Sequence, residues 1–175
     1  FSAHGSAEVI QRFLDAYGGY MEFCQLQLNY MDWHFQDAQE KVRMIQDAGI
    51  PVWVMEPLRG GRLAKASDAM REALCAMRPE ETVPAWAFRF LQAIPGVTVV
   101  LSGMSSMEQL KANITTWQED KPLTKEEFDS IVSLADEETR KGGLPCTACH
   151  YCTSHCPKEL PIPELIALYN EHKIT

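Results

Sequence analysis

The sequence predicts an α/β fold, a partial (β/α)8 TIM barrel followed by a small helical tail rich in cysteine. Three observations carry this reading. Short apolar, β-rich runs alternate with amphipathic helical segments, the order expected of a parallel sheet. The βα units recur at roughly 35–45 residues, as in a (β/α)8 barrel of ~250 residues, so a chain of 175 residues holds only about half of one. Four of the six cysteines fall between positions 146 and 156, too close together to belong to the same repeat.

The elements follow in order. Ser6 suits a helix N-cap, and Val9, Ile10, Phe13, Leu14 and Tyr17 repeat with helical period until Gly18-Gly19. Met21–Asn29 alternates as a strand, with Gln25, Gln27 and Asn29 on one face and Cys24, Leu26 and Leu28 on the other. Those polar residues either point at a ligand or form a layer satisfied by neighbours. Asp37 and Glu40 are spaced as a capping box for a helix that buries Val42, Ile45 and Ala48 and stops at Gly49. Ile50–Met55 reads as a strand covered on both faces, and Glu56-Pro57-Leu58-Arg59-Gly60-Gly61 is the turn behind it.

Two helices are expected next, over Asp68–Met77 and Val83–Ala93, broken by Pro79 and Pro95. Val97–Leu101 is another short buried strand. Ser105 and Glu108 are spaced to cap the helix after it. A strand, a small-residue turn and a helix N-terminus make a ready anion site, although a well-capped connecting helix has the same pattern. Thr124 and Glu127 open a further helix through Ala135. Lys141-Gly142-Gly143 is read as a hinge, and Pro163 sits in the first turn of a last short helix. The division expected is 1–140 for the barrel part and 141–175 for the tail.

Cys146, Cys149, Cys152 and Cys156, with Pro157 after them, follow the spacing C-x2-C-x2-C-x3-C-P. Thiolates are soft ligands for iron–sulfur clusters, Cu(I) and zinc, and this spacing is the one that ligates clusters in bacterial ferredoxins. In two-cluster ferredoxins the fourth cysteine serves the other cluster, so Cys156 either folds back or leaves a place for another ligand. A structural zinc and a disulfide or free-thiol cluster are the competing readings. His150 and His155 lie inside the loop and are zinc-ligand types. Cys24 and Cys75 are read as ordinary buried thiols. His4, His34 and His172 are read as surface or satisfied residues, and His4 keeps interest because it follows Ser2 at the strand end.

A net charge of −8 argues against a nucleic-acid partner. No apolar run approaches the ~18 residues of a membrane span. Clustered cysteines without a secretory mark fit a reduced, cytoplasmic setting.

At four places the chain resembles the C-terminal half of the aldo/keto reductase family, and more narrowly its branch with a C-terminal 4Fe-4S ferredoxin-type motif. Phe1-Ser2-Ala3-His4 is similar to the end of the family's fifth strand, and Phe23–Tyr30 to the sixth. Val54–Gly61 resembles the seventh strand with its loop, and Val99–Asn113 the eighth with the start of its helix. The resemblance implies a nicotinamide cofactor, NADP or NAD. Ser2 and Gln25 would bond the carboxamide; Pro57, Leu58 and Gly60 would follow the pyrophosphate; Gly103, Gln109 and Asn113 would meet the adenosine end. Many members carry Lys and Arg where this chain has Gly103 and Gln109, which leaves the choice of dinucleotide open. Ala3 replaces a common amide, and Glu56 a common small hydroxyl whose carboxylate counterpart would repel a pyrophosphate.

The family's catalytic Asp, Tyr, Lys and His come from the other half of the barrel, so no catalytic residue is assigned and this chain alone is expected to be inactive. The implied partners are a small carbonyl substrate, an electron-transfer protein for the cluster, and a second copy of the chain pairing at the exposed half-barrel edges. The competing function is a non-catalytic module whose tail is a metal staple or docking element.

Overall fold

A computed structural model of the protein describes residues 1–141, 144, 146 and 150–174. Gly142, Gly143 and Cys149 lie outside the described residues, and with them the expected hinge and one of the four expected ligands.

Four strands form one parallel sheet in the order β1 (Ser2–Ala3), β2 (Cys24–Gln27), β3 (Val52–Met55) and β4 (Val97–Val100). Sequential strands are spatial neighbours throughout, as in a barrel wall. The register places Ser2 beside Gln25, Gln25 beside Trp53, and Trp53 beside Val99. One face of the sheet is therefore a row of Ser2, Gln25, Trp53 and Val99. The other face carries Ala3, Cys24, Leu26, Val52 and Val54, all buried. Against that second face pack α1 (Ala7–Tyr17), through Ile10 and Leu14, and α3 (Ala38–Asp47), through Val42 and Ile45.

The core is completed by α5 (Val83–Gln92), whose apolar residues run almost all round it, from Ala85 to Leu91. A short helix not expected from the sequence, α2 (Asp32–Phe35), brings Trp33 edge-on to Phe90 at 5.5 Å and to Phe128 at 5.4 Å. Phe128 belongs to α7 (Lys125–Lys141) and stacks on Phe90 at 4.6 Å. Arg89 on α5 is 1% exposed and donates to Glu81 Oε1, Glu119 Oε2, Gln92 Oε1 and the carbonyls of Thr116 and Glu119. A buried guanidinium is tolerated because each of its nitrogens has an acceptor. The remaining helices are α4 (Asp68–Met77), α6 (Met107–Gln118), α8 (Tyr151–Ser154) and α9 (Ile162–Ile174).

Several local expectations hold. Ser6 Oγ accepts from Val9 N–H at 3.4 Å. Thr124 and Glu127 form a reciprocal capping box, the carboxylate accepting from Thr124 N–H at 2.8 Å and the hydroxyl from Glu127 N–H at 3.3 Å. Others shift. Asp37 adopts a left-handed conformation and makes no side-chain cap, while Glu40 turns to Arg43. The cap of α6 is Ser106, one residue beyond the expected Ser105, because Gln109 rather than Glu108 reaches back to Ser105 N–H at 2.7 Å. Strand β4 is half-exposed rather than buried, because it is an edge of the sheet. Cys75 is exposed, on the outer side of α4, whereas Cys24 is fully buried as expected.

Candidate functional site

The C-terminal ends of four parallel strands lie side by side, the place where barrels of this kind hold their sites. Ser2 and Gln25 are adjacent in register on the face turned away from the helices. Ser2 Oγ lies 3.1 Å from His4 Nε2. Gln25 Nε2 donates to Met55 Sδ at 3.5 Å, a contact that ties the ends of β2 and β3. The polar residues expected to line β2 divide. Gln25 stays on the open face, whereas Gln27 and Asn29 turn to Asp32 Oδ2, at 2.8 and 2.7 Å. Asn29 is fully buried, and its Oδ1 accepts from Asp32 N–H. This is the satisfied polar layer, and Asp32 at its centre was not singled out in the sequence.

The loop after β3 is held by that layer. Asn29 Nδ2 donates to the carbonyl of Glu56 at 3.0 Å, and Arg59 Nε lies 3.3 Å from Asp32 Oδ1. Glu56, Arg59, Gly60 and Gly61 all have positive φ, at 57, 49, 63 and 85°. Two non-glycine residues in that region within four positions mark a loop whose shape is over-determined by its contacts. Glu56 folds back so that its carboxylate accepts from Gly60 N–H, which turns the charge onto its own loop. The Arg59 guanidinium sits 5.5 Å from the Phe35 ring centre, and its side chain is 10% exposed. Its Nε and Nη2 are buried without a hydrogen-bond partner. Pro57 is buried, Leu58 half-buried and Gly60 exposed.

Beyond β4, Gly103 is exposed, and a Cβ there would meet nothing within 4 Å. Asn113 Nδ2 donates to Ser102 Oγ at 3.4 Å, and Gln109 Oε1 receives Ser105 N–H. The turn and the first helical turns behind it thus act as one unit. The structure brings Ser2 with Gln25, Pro57 with Leu58 and Gly60, and Gly103 with Gln109 and Asn113, in three groups along one edge of the sheet. Met55 and Arg59 join them. Strand alternation places Met55 on the same face as Gln25, and Arg59 was visible as a cation between Pro57 and the glycines.

Tyr30 is core. It is fully buried, edge-on to Phe90 at 6.1 Å, and burial pushes its phenol well above the usual range.

The cysteine segment returns to this end of the sheet. The ring centres of His4 and Tyr151 are 5.3 Å apart, and Arg62 Nη1 donates to the carbonyl of Cys146 at 3.4 Å. Cys146 and Cys156 are half-buried and Cys152 is exposed. Among the described residues no group of three or more His, Cys, Asp or Glu is set to hold a metal ion. His155 Nδ1 is engaged by Tyr151 O at 2.9 Å and Ser154 Oγ at 3.0 Å. His34 pairs with Asp136 at 2.9 Å, a satisfied histidine as expected. Burial pushes the Cys24 thiol up to about 12, which keeps it a neutral thiol. No helix among the described residues is long and apolar enough to cross a membrane.

A half-open parallel βα sheet with its polar groups at the strand ends defines part of a barrel of the (β/α)8 class. The profile of the aldo/keto reductase family matches residues 1–136, and the chain belongs to that family. Among solved structures it is similar to aldo-keto reductase AKR11C1 from Bacillus halodurans. The holo form matches at 22% identity with a TM-score of 0.59, covering 76% of this chain and 48% of that one. The apo form matches at 23% identity with a TM-score of 0.60, covering 76% and 49%. At these identities the likeness concerns the fold. The chain spans about half the length of these structures. Comparison with curated proteins found no match.

Proposed function

We propose that this chain forms the cofactor wall of an NAD(P)H-dependent oxidoreductase of aldo/keto reductase type, and that its tail carries a [4Fe–4S] cluster. The observation that supports the first part is the row of polar and small residues at the C-terminal strand ends. Ser2 and Gln25 present a hydroxyl and an amide side by side, which suits the carboxamide of a nicotinamide. Pro57, Leu58 and Gly60 lie in a loop that places backbone near a ligand. Arg59, paired with the buried Asp32, holds that loop in place, so its part is to position the backbone that would follow a pyrophosphate. Gly103, Gln109 and Asn113 form the far end, where an open Cβ position leaves room for an adenosine.

When bound, the nicotinamide supplies the hydride. The chain's own residues bind and orient. Gln25, braced on Met55, and Ser2, braced on His4, fix the ring plane. The proton donor for a small carbonyl substrate is not assigned among these residues, and we place it with the family's catalytic set, outside this chain. The choice of NADP or NAD stays with residues 103 and 109, neither of which is a cation.

The donor set in the tail fits a cluster. Four thiols at C-x2-C-x2-C-x3-C spacing supply four soft ligands. Cys156 N–H donates to Thr153 O at 3.2 Å, which closes a turn just ahead of Pro157. His155 Nδ1 is held by Tyr151 O and Ser154 Oγ, which leaves Nε2 as the ring nitrogen a metal could use. A bound cluster would add one-electron chemistry, and an electron-transfer protein is the partner class this requires. Residues 1–140 are then the barrel part and 141–175 the tail.

Two measurements test this. Iron, acid-labile sulfide and zinc are quantified after anaerobic purification: about four iron and four sulfide per chain, as a [4Fe–4S] site demands, support the cluster. One zinc without sulfide would make the tail a structural staple. Fluorescence titration with NADH and NADPH tests the wall; Gln25→Ala and Arg59→Met should each weaken binding, and unchanged affinities would overturn the assignment.

A further inference from the structure

We infer a second binding site, for a small carboxylate with an apolar body, beside the cofactor row where the strand ends meet the tail. A cavity of about 330 Å3 lies where the ends of β1 and β2, the start of α3 and the cysteine segment meet. Its floor is Ala3 and Leu26. Both are buried, and both alternate with Ser2 and Gln25, so they face away from the row that orients the nicotinamide. Its roof is the Tyr151 ring, placed by its contact with His4. Lys41, Gln36, Gln27 and His4 complete the wall. The site is thus built jointly by the barrel part and the tail, and the inference stands without either proposed cofactor.

The chemistry follows from the lining. A small apolar floor and an aromatic roof suit a planar or short aliphatic body. A cavity of a few hundred Å3 is the ordinary size for a small ligand. Lys41 supplies the only formal cation of that lining, and no carboxylate lines the cavity among the described residues. Asp37 and Asp32 act on Lys41 through space, yet neither forms an ion pair with it among the described residues. Asp32 is committed to Asn29, Gln27 and Arg59. Burial lowers the Lys41 ammonium below its usual pKa, as expected of a cation stripped of water and lacking a close counter-ion. The Gln36 amide beside it can donate a second hydrogen bond. A carboxylate placed between them would restore what Lys41 lost, with a charge-assisted contact.

The test titrates benzoate into the full chain, purified anaerobically, by calorimetry, with benzamide as the neutral match. Benzoate should bind and benzamide should bind at least about tenfold more weakly, the loss of one charge-assisted contact. Lys41→Met should weaken benzoate by a similar factor, and Lys41→Arg should retain it. Should Lys41→Met melt early, Tyr151→Ala takes its place; it lies on the tail outside the core and should also weaken benzoate. Equal affinity for benzoate and benzamide, no benzoate binding, or unaltered binding in the folded variants would overturn the inference. NADH titration alongside separates the two sites: Lys41→Met should leave NADH affinity unchanged, and parallel loss of both ligands would place Lys41 in the cofactor row instead.

Discussion

The His4 imidazole and the Tyr151 ring lie 5.3 Å apart, tilted by 38°, and join the end of the first strand to the middle of the cysteine segment. His4 Nε2 is also within 3.1 Å of Ser2 Oγ. One histidine therefore touches both the row proposed to hold the nicotinamide and the segment proposed to hold the cluster. Sequence separation hides this, because almost the whole barrel part lies between them. Tyr151→Ala should therefore alter the His4 ring environment. The check is the His4 resonance by NMR; an unmoved chemical shift would show that the rings do not meet.

The polar layer around Asp32 should be structural as well as functional. Asp32→Ala leaves the buried Arg59 without its counter-ion, and removing one partner of a buried pair costs ~3–5 kcal/mol. Urea denaturation should show that loss, together with weaker NADH binding as the loop after β3 loosens. A change confined to cofactor affinity would mean that Arg59 finds water or another acceptor.

Gly60 and Gly103 should respond differently to the same methyl. At Gly60, φ is 63° and a Cβ would meet only Glu56 Oε2 at 3.9 Å, so Gly60→Ala should cost ~1–2 kcal/mol through the backbone alone. Gly103 has no such φ and open space around it, so Gly103→Ala should stay within about 0.5 kcal/mol of wild type. Thermal or urea unfolding of the pair settles both.

Acid should weaken the joint between α4 and α7. Arg78 Nε and Nη2 donate to the two Glu127 oxygens, each at 2.6 Å, and hold that carboxyl below its ordinary range. A carboxyl lowered in the folded state contributes stability above its unfolded pKa, and that contribution is lost as pH falls through the folded value. The urea midpoint should therefore drop as pH is lowered from neutral through the usual carboxylate range and beyond it. Glu127→Gln, which keeps the capping geometry, should show a shallower fall over the same window.

Metal content should follow the four clustered cysteines and ignore the other two. Cys75 is exposed on α4 and Cys24 is buried as a neutral thiol. Cys75→Ser should leave iron and sulfide per chain unchanged, whereas Cys156→Ser should lower both. Iron loss in Cys75→Ser would point to a ligand outside the run.

Periodicity and breakers made the order of elements legible. The alternation from Cys24 to Leu28 and the apolar run Val52–Val54 set two strands, and Ser6 and Thr124 announced their helices because a cap needs only local partners. Local rules failed where a competing contact was stronger: Asp37 was drawn into a left-handed turn, and Ser106 rather than Ser105 found its partner in Gln109. They were silent on Asp32, whose role exists only once Asn29, Gln27 and Arg59 converge from separate segments.

By itself the sequence determined the family, the parallel βα order and the spacing of the cysteines, since these depend on residue type and short-range separation. The tertiary structure alone decided which polar groups of β2 face outward and which are consumed, that Glu56 turns its charge onto its own loop, and that Tyr151 roofs a cavity beside Lys41. Each of those is a choice among partners far apart in the chain, and the packing of strands against helices makes it.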